Sequence, residues 1–297
     1  MQSSQEGCIV AFICFFKVNN ICEVDSMRIA IITGASSGIG REFALVASEK
    51  YKFDCIWLIA RREDRLRETA SFINTQTKIF SLDLSLDLSL RVLEKALEEE
   101  KPVIHLLVNA AGFGKFGSVE SQYTDDVKNM IDVNVRALTV LTKLCLPYMA
   151  PNGAIINMAS ASSFLPLPYM NVYGATKSYV LAFSRALADE IRNTGVTVTA
   201  VCPYWVSTEF IPVAKRSPQG DSINNFLFMT YPFKVVDKAL LDSDNGFDVS
   251  YPNGVPVIIK MLSRVLPDDM QRAIWNKIRY LRIFRYNQRF PEQLPLQ

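Results

Sequence analysis

The sequence predicts an α/β fold: a doubly wound, mostly parallel sheet of six to seven strands with helices on both faces. Three observations carry that expectation. Short β-rich apolar runs alternate with amphipathic helical stretches from residue 28 to residue 208, the pattern of repeated strand–helix–strand units. A glycine-rich turn, Gly34-Ala35-Ser36-Ser37-Gly38-Ile39-Gly40, joins the first such strand to the first helix. And 297 residues suffice for one large α/β core with appendages.

Composition narrows the class. Hydrophobic content is 49%, charged content 21% and net charge +2, a soluble globular profile with no bias toward nucleic acid. No apolar run approaches the ~18 residues of a membrane span. The six cysteines, Cys8, Cys14, Cys22, Cys55, Cys145 and Cys202, form no C-x-x-C pair. Neither a metal site nor a disulfide framework is expected, which suits a reducing, cytoplasmic setting. His105, the only histidine, leads into an apolar strand and reads as structural.

Residues 1–26 differ in character from the rest of the chain. Their apolar stretch, 8–16, has no basic residue before it and no small-residue cleavage site after it, so it makes a poor signal peptide. The segment is treated as an extension of unknown role, with the domain starting at Met27. Residues 28–33 form the first strand, and 41–47 continue the helix after the glycine turn. This layout sets backbone N–H groups and the positive helix end against a phosphate, with glycine where the backbone must approach closely. The second strand, 55–60, ends at Arg61-Arg62. In a dinucleotide fold the residue about 20 beyond the glycines meets the adenosine ribose. An acid there would accept from a 2′-hydroxyl. Two arginines suit a 2′-phosphate instead, so NADP(H) is the expected cofactor.

A helix over 63–74 leads to the third strand, 78–82, with Asp83 at its carboxyl end, where ligands of open sheets bind. A helix over 86–100 comes next. The fourth strand, 104–109, runs into the small residues of Ala110-Ala111-Gly112-Phe113-Gly114. Residues 124–150 read as one long amphipathic helix carrying Asn134, a mildly unfavourable mid-helix residue that is expected to bond inward. The fifth strand, 154–159, ends at Ser160. A helix over 168–193 carries Tyr173 and Lys177, and the sixth strand, 196–202, ends at Pro203-Tyr204-Trp205-Val206-Ser207-Thr208.

Tyr173 and Lys177 are one helical turn apart and share a face. A free tyrosine has a pKa near ~10, and a cation within ~4–6 Å favours its phenolate. The pair suits a general acid that protonates a carbonyl oxygen, or a base for the reverse reaction.

As a set, Thr33-Gly34-x-x-x-Gly38-Ile39-Gly40, Asn109-Ala110-Ala111-Gly112, Ser160 and Tyr173-x-x-x-Lys177 resemble the short-chain dehydrogenase/reductase family in order and spacing, over about residues 27–208. The resemblance implies a Rossmann-type domain that interconverts carbonyls and alcohols with a nicotinamide cofactor. It implies Tyr173 as acid/base, Ser160 as the group orienting the substrate oxygen, and Lys177 as the holder of the nicotinamide ribose that also lowers the tyrosine pKa. It makes Asn134 the anchor of a water in a proton relay. Asp83 and Leu84 would meet the adenine. Gly34, Ser36, Ser37, Gly38, Ile39, Gly40, Asn109, Ala110 and Gly112 would line the cofactor, joined by Pro203, Val206 and Thr208. Arg61-Arg62 resembles NADP-preferring members. One departure is Pro203-Tyr204, where the family usually has Pro-Gly. Ser162 and Ser163 lie close to Ser160, whose assignment rests on spacing.

Specificity is expected beyond the strand ends, in the apolar segment 164–170 and in residues 209–232, which read as a short helix plus a mobile lid. Phe226-Leu227-Phe228-Met229 either walls the pocket or packs on the core. Apolar walls point to an apolar ketone or aldehyde. The domain is taken to run to 254, with a helix over 235–241 and a seventh strand over 247–250. The basic amphipathic tail, 255–297, is expected to pack on the domain or a neighbouring subunit rather than on an anionic membrane. The helices at 124–150 and 168–193 offer surfaces for a dimer or tetramer. Two other functions compete. One is an NADP-binding sensor or scaffold without turnover, which would not need the set Asn134, Ser160, Tyr173 and Lys177. The other is nucleotide-sugar epimerisation or dehydration, whose glycine spacing and chain length differ.

Overall fold

A computed structural model describes residues 27–280; the extension 1–26 and the last part of the tail, 281–297, lie outside the described residues. Seven strands form one parallel sheet in the order β3-β2-β1-β4-β5-β6-β7. They are β1 (Arg28–Thr33), β2 (Cys55–Ala60), β3 (Gln76–Ser81), β4 (Val103–Asn109), β5 (Met149–Met158), β6 (Thr197–Val201) and β7 (Val249–Ser250). The strand order reverses between β1 and β4, which opens a crevice at their carboxyl ends.

Alternate side chains of each strand feed opposite layers. Ile29 and Ile31 of β1 and Trp57 of β2 join Leu93 and Leu97 of α3 (Asp87–Glu100), Leu141 of α5 (Leu138–Cys145) and Leu187 of α6 (Asn171–Glu190). Ala30 and Ile32 face the other way, onto Phe43 and Ala47 of α1 (Gly38–Lys50), Leu66 of α2 (Glu63–Ala70) and Val235 and Ala239 of α8 (Pro232–Asp244). The sheet is thus covered on both faces, as the sequence predicts.

Several boundaries differ from the sequence reading. The stretch 124–150 is not one helix. It is α4 (Thr124–Ile131), a π-helical turn over Asp132–Ala137, then α5, and a 3₁₀ turn at Leu146–Tyr148 that contains Pro147. β5 then starts at Met149, earlier than expected, and pairs with Ile104 before a register shift. Helix α2 stops at Ala70 because Phe72 and Ile73 turn their N–H groups back to the Thr69 and Ala70 carbonyls. That turn lets Ile73 join the core. Strand β7 is only a two-residue edge.

The end of the described chain forms α9 (Gly254–Val265) and α10 (Asp268–Ile278). They do not lie apart from the domain. The Trp275 indole donates to the Pro168 carbonyl at 2.9 Å, and Asn225 donates to the Ile278 carbonyl at 3.1 Å. Among the described residues no helix is long and apolar enough to cross a membrane. Cys55, Cys145 and Cys202 are buried free thiols.

Candidate active site

One cleft of about 950 Å³ runs from the glycine turn, past Tyr173, to α9 and α10. Its first end is built on backbone. Gly34 has φ +71°, and a Cβ on it would lie 2.9 Å from the Ala110 carbonyl carbon. Only glycine accepts both conditions without strain. A Cβ on Gly40 would lie 2.4 Å from the Gly34 oxygen, so α1 approaches the turn more closely than any side chain allows. Thr33 fixes the neighbouring strand end: its hydroxyl accepts from the N–H groups of Ala110 and Ala111, both at 3.0 Å. At the start of α1, Ser37 is extended and its side chain makes no capping bond. The first N–H groups of a 13-residue helix, with no acid in its first turn, therefore face the cleft as an anion site.

Ser36, Ser37, Gly38, Ile39, Arg61, Arg62, Asp83, Leu84, Ala110 and Gly112 all line this end, as do Pro203, Val206 and Thr208. Arg61 is mostly exposed, 3.8 Å from Asp83. Asp83 accepts from the Ser85 N–H and hydroxyl at 3.0 and 2.8 Å, which shapes the turn after β3. Arg62 is engaged by Glu209 at 2.7 Å. Hydrogen bonding from Arg62 holds the Glu209 carboxyl below its ordinary range, against some opposing burial.

Asn109 corrects an expectation. Its side chain does not line the cleft; it donates to Thr142 and Asn157 at 3.0 and 2.8 Å, inside the core. As the last residue of β4 it faces the layer of α5, where it ties β4 to β5. The residues of this strand end that line the cleft are Ala110, Ala111 and Gly112.

The chemical end is assembled by α6. Tyr173 and Lys177 lie in its first two turns and are both buried. The Lys177 ammonium donates to the Met158 carbonyl at 2.6 Å and lies 5.7 Å from the centre of the Tyr173 ring. Burial pushes the Tyr173 phenol up to about 12, and hydrogen bonding with Ser160 only partly offsets this. Burial likewise lowers Lys177 to about 8. The expected cation-lowered tyrosine is therefore corrected: desolvation dominates and holds the phenol protonated. Ser160 caps the 3₁₀ turn after β5 by accepting from the Ser162 N–H at 3.1 Å.

Asn134 is fully buried in the π-helical turn. Its oxygen accepts from the Phe113 N–H at 3.1 Å, and its amide donates to the Phe113 carbonyl at 2.9 Å and to Thr176 at 3.1 Å. It bonds inward, as expected, and the structural work of its side chain is to clamp the segment after β4 onto α6. Gly112 fits between: a Cβ there would lie 2.9 Å from the Asn134 oxygen and 3.4 Å from the Lys177 nitrogen.

Beyond Tyr173 the cleft turns apolar. Leu165, Leu167 and Met170 form one wall, and Ile259, Leu262, Ile274 and Trp275 form another. The four-residue apolar run splits. Phe226 packs on Trp205 with ring centres 5.0 Å apart, whereas Leu227 and Phe228 line the cleft. Phe228 combines φ +56° with 72% exposure, a strained residue at the cleft lip. The sequence reading holds Glu209 and Phe210 only as part of the specificity segment 209–232, and Gly114 only as part of the small-residue run after β4. It misses the anchoring role of Thr33 and the two C-terminal helices as parts of the site. The signal for Gly114 was present, a second glycine two residues after Gly112.

Comparison with known proteins matches this geometry. The family model for short chain dehydrogenases matches residues 28–217. An uncharacterized oxidoreductase of Staphylococcus epidermidis is 36% identical over 183 residues, covering 61% of this chain and 79% of that protein. The very-long-chain 3-oxoacyl-CoA reductase of Rattus norvegicus is 31% identical over 208 residues, covering 67% of this chain and 65% of that protein. Among solved structures, a short-chain dehydrogenase from Sphingobium yanoikuyae in complex with NADPH superposes with a TM-score of 0.70 at 29% identity, covering 80% of this chain and 93% of that one.

Proposed function

Because the chain belongs to the short-chain dehydrogenase family, a family of nicotinamide-dependent oxidoreductases, we propose that it is an NADP(H)-dependent reductase or dehydrogenase of apolar ketones, aldehydes and their alcohols. The observation that carries this reading is the continuity of one cleft from an open helix N-terminus, past a buried Tyr173–Lys177 pair, to walls of aliphatic and aromatic side chains.

The roles derive from position. The first turn of α1, with Gly34, Gly38 and Gly40 at the turn, holds the pyrophosphate of the dinucleotide. Arg61 and Arg62 take a 2′-phosphate, for which a guanidinium fork is a good partner. Asp83 and Leu84 flank the adenine. Lys177, beside Gly112, holds the nicotinamide ribose. A bound nicotinamide supplies or accepts the hydride. Tyr173, held protonated by burial, gives its proton to the carbonyl oxygen during reduction and takes one back during oxidation. Ser160, hydrogen-bonded to Tyr173, orients that same oxygen. Asn134 contributes by fixing Phe113 and Thr176 around Lys177, and we keep it as the anchor of a water in the proton relay.

The apolar chamber favours a bulky, poorly hydrated substrate. The very-long-chain acyl substrate in the name of the rat relative supports that direction. Buried free thiols suit a reducing compartment, which we take to be the cytoplasm. We also take residues 27–254 as the catalytic domain, with α9 and α10 as its substrate wall.

The test is NADPH oxidation with a panel of ketones and aldehydes of increasing apolar length, run beside small polar ones and beside NADH. The reading expects turnover that rises with apolar bulk and prefers NADPH. Turnover confined to small polar carbonyls, or equal with NADH, contradicts it.

A further inference from the structure

Glu209 sits at the entry to a short helix, α7 (Phe210–Lys215), and reaches over the cofactor end of the cleft. Both its oxygens meet Arg62: Nη2 to Oε2 at 2.7 Å and Nη1 to Oε1 at 3.4 Å. Ser37 of the glycine turn hydrogen-bonds the same carboxylate. The preceding residue, Thr208, rests on that turn, with its methyl 3.2 Å from where a Cβ on Gly38 would be. One carboxylate therefore ties together the loop after β6, the start of α1 and the end of β2. These are the three segments that bound the phosphate end.

This contact occupies the arginine that the cofactor needs. Each side chain of the pair is 43% exposed, so water reaches it, and such pairs are weak enough to exchange. Only some ligands can make the exchange. A 2′-phosphate carries more charge than a carboxylate and matches the guanidinium fork. A ribose 2′-hydroxyl is neutral and cannot compete for it.

We propose that Glu209 is a cofactor-selecting residue: it holds Arg62 until a 2′-phosphate displaces it. The proposal rests on the reading that Arg61 and Arg62 face the adenosine ribose of a nicotinamide dinucleotide. Glu209 thereby penalises NADPH binding by the strength of one exposed ion pair, while a cofactor with a free 2′-hydroxyl leaves the pair intact. Phe210, the next residue, lies against Tyr173, so the selecting carboxylate and the cover of the catalytic tyrosine ride on one segment.

The experiment is calorimetric titration of the full chain with NADPH, NADH, 2′,5′-ADP and 5′-AMP, for wild type, Glu209→Gln, Arg62→Ala and the double variant. Glu209→Gln is expected to tighten NADPH and 2′,5′-ADP roughly fivefold, the equivalent of one exposed pair, and to change NADH and 5′-AMP less than twofold. In the Arg62→Ala background the Glu209 substitution is expected to do nothing for NADPH. An unchanged or weakened NADPH affinity in Glu209→Gln, or equal tightening of both cofactors, overturns the proposal. A wild type that prefers NADH, with Arg62→Ala silent, overturns the NADP reading itself and the selecting role with it. Circular dichroism of each variant separates loss of binding from loss of fold.

Discussion

The ring of Phe210 lies against the ring of Tyr173, with centres 5.1 Å apart and planes tilted by 53°. Gly114 is what lets them meet. A Cβ there would lie 2.8 Å from Tyr173 Cδ2 and 2.9 Å from Phe210 Cζ. Gly114→Ala is therefore expected to push the phenol off its position. Overpacking of this kind costs about 1–3 kcal/mol, and a misplacement near 1 Å lowers turnover up to ~100-fold. Steady-state kinetics beside thermal unfolding would check this. The expected result is a kcat that falls by more than the loss of stability explains, with cofactor affinity nearly unchanged.

Trp275 anchors the far wall. Its indole donates to Pro168, and the side chain is 8% exposed. Trp275→Ala is expected to destabilise the protein by roughly 3–5 kcal/mol. Trp275→Phe, which loses chiefly the hydrogen bond, should cost about 1 kcal/mol. With Trp275→Phe the KM for a long apolar carbonyl should rise, while that for a short one stays within twofold. Equal KM changes for both substrates would mean that α10 does not wall the substrate.

Much of this arrangement is legible in the sequence, and the rest is not, for reasons specific to each residue. Strands β1 to β6 announce themselves as apolar runs, and the glycine turn and Tyr173–Lys177 carry their geometry in their spacing. The π-helical turn does not, because one extra residue per turn barely disturbs the apolar pattern of residues 124–145. The early start of β5 is hidden by Pro151-Asn152-Gly153, which reads as a turn. Asn109 is expected at the cofactor because the family resemblance puts it there, whereas strand alternation sets its side chain on the same layer as Leu107. Glu209 meets Arg62 across 147 residues, a contact that no local pattern encodes. The amphipathic pattern of the tail fits a membrane, a subunit or the domain equally well. In the structure Ile259, Leu262, Ile274 and Trp275 line the cleft, while Ile258, Met261 and Val265 on α9 are exposed. Burial of Tyr173 and Lys177, which reverses the expected pKa direction of the tyrosine, is likewise a property of packing.

The lysine gives a pH signature. Burial lowers Lys177 from an ordinary 10.5 to about 8. Between those values the unfolded chain holds a proton that the folded chain has lost, so stability rises with pH across that window and the gain is lost as pH falls through 8. Tyr173 and Cys202, both raised mainly by burial, act oppositely, but only near and above their ordinary values. Urea denaturation of wild type and Lys177→Met from pH 7 to 9 isolates the lysine, because the difference cancels groups common to both. Wild-type stability should gain on the variant as pH rises. A constant difference would mean that Lys177 stays charged when buried.

The central claim is that the Tyr173 phenol moves the proton. The most direct measurement is single-turnover reduction of an apolar ketone by wild type and Tyr173→Phe, with NADPH affinity measured on the same samples. The account predicts that Tyr173→Phe binds NADPH within about threefold of wild type and loses at least ~100-fold in the chemical step, the scale of a lost general acid. A variant that keeps a tenth or more of the wild-type rate with NADPH bound would contradict it and move the acid to another group in the cleft.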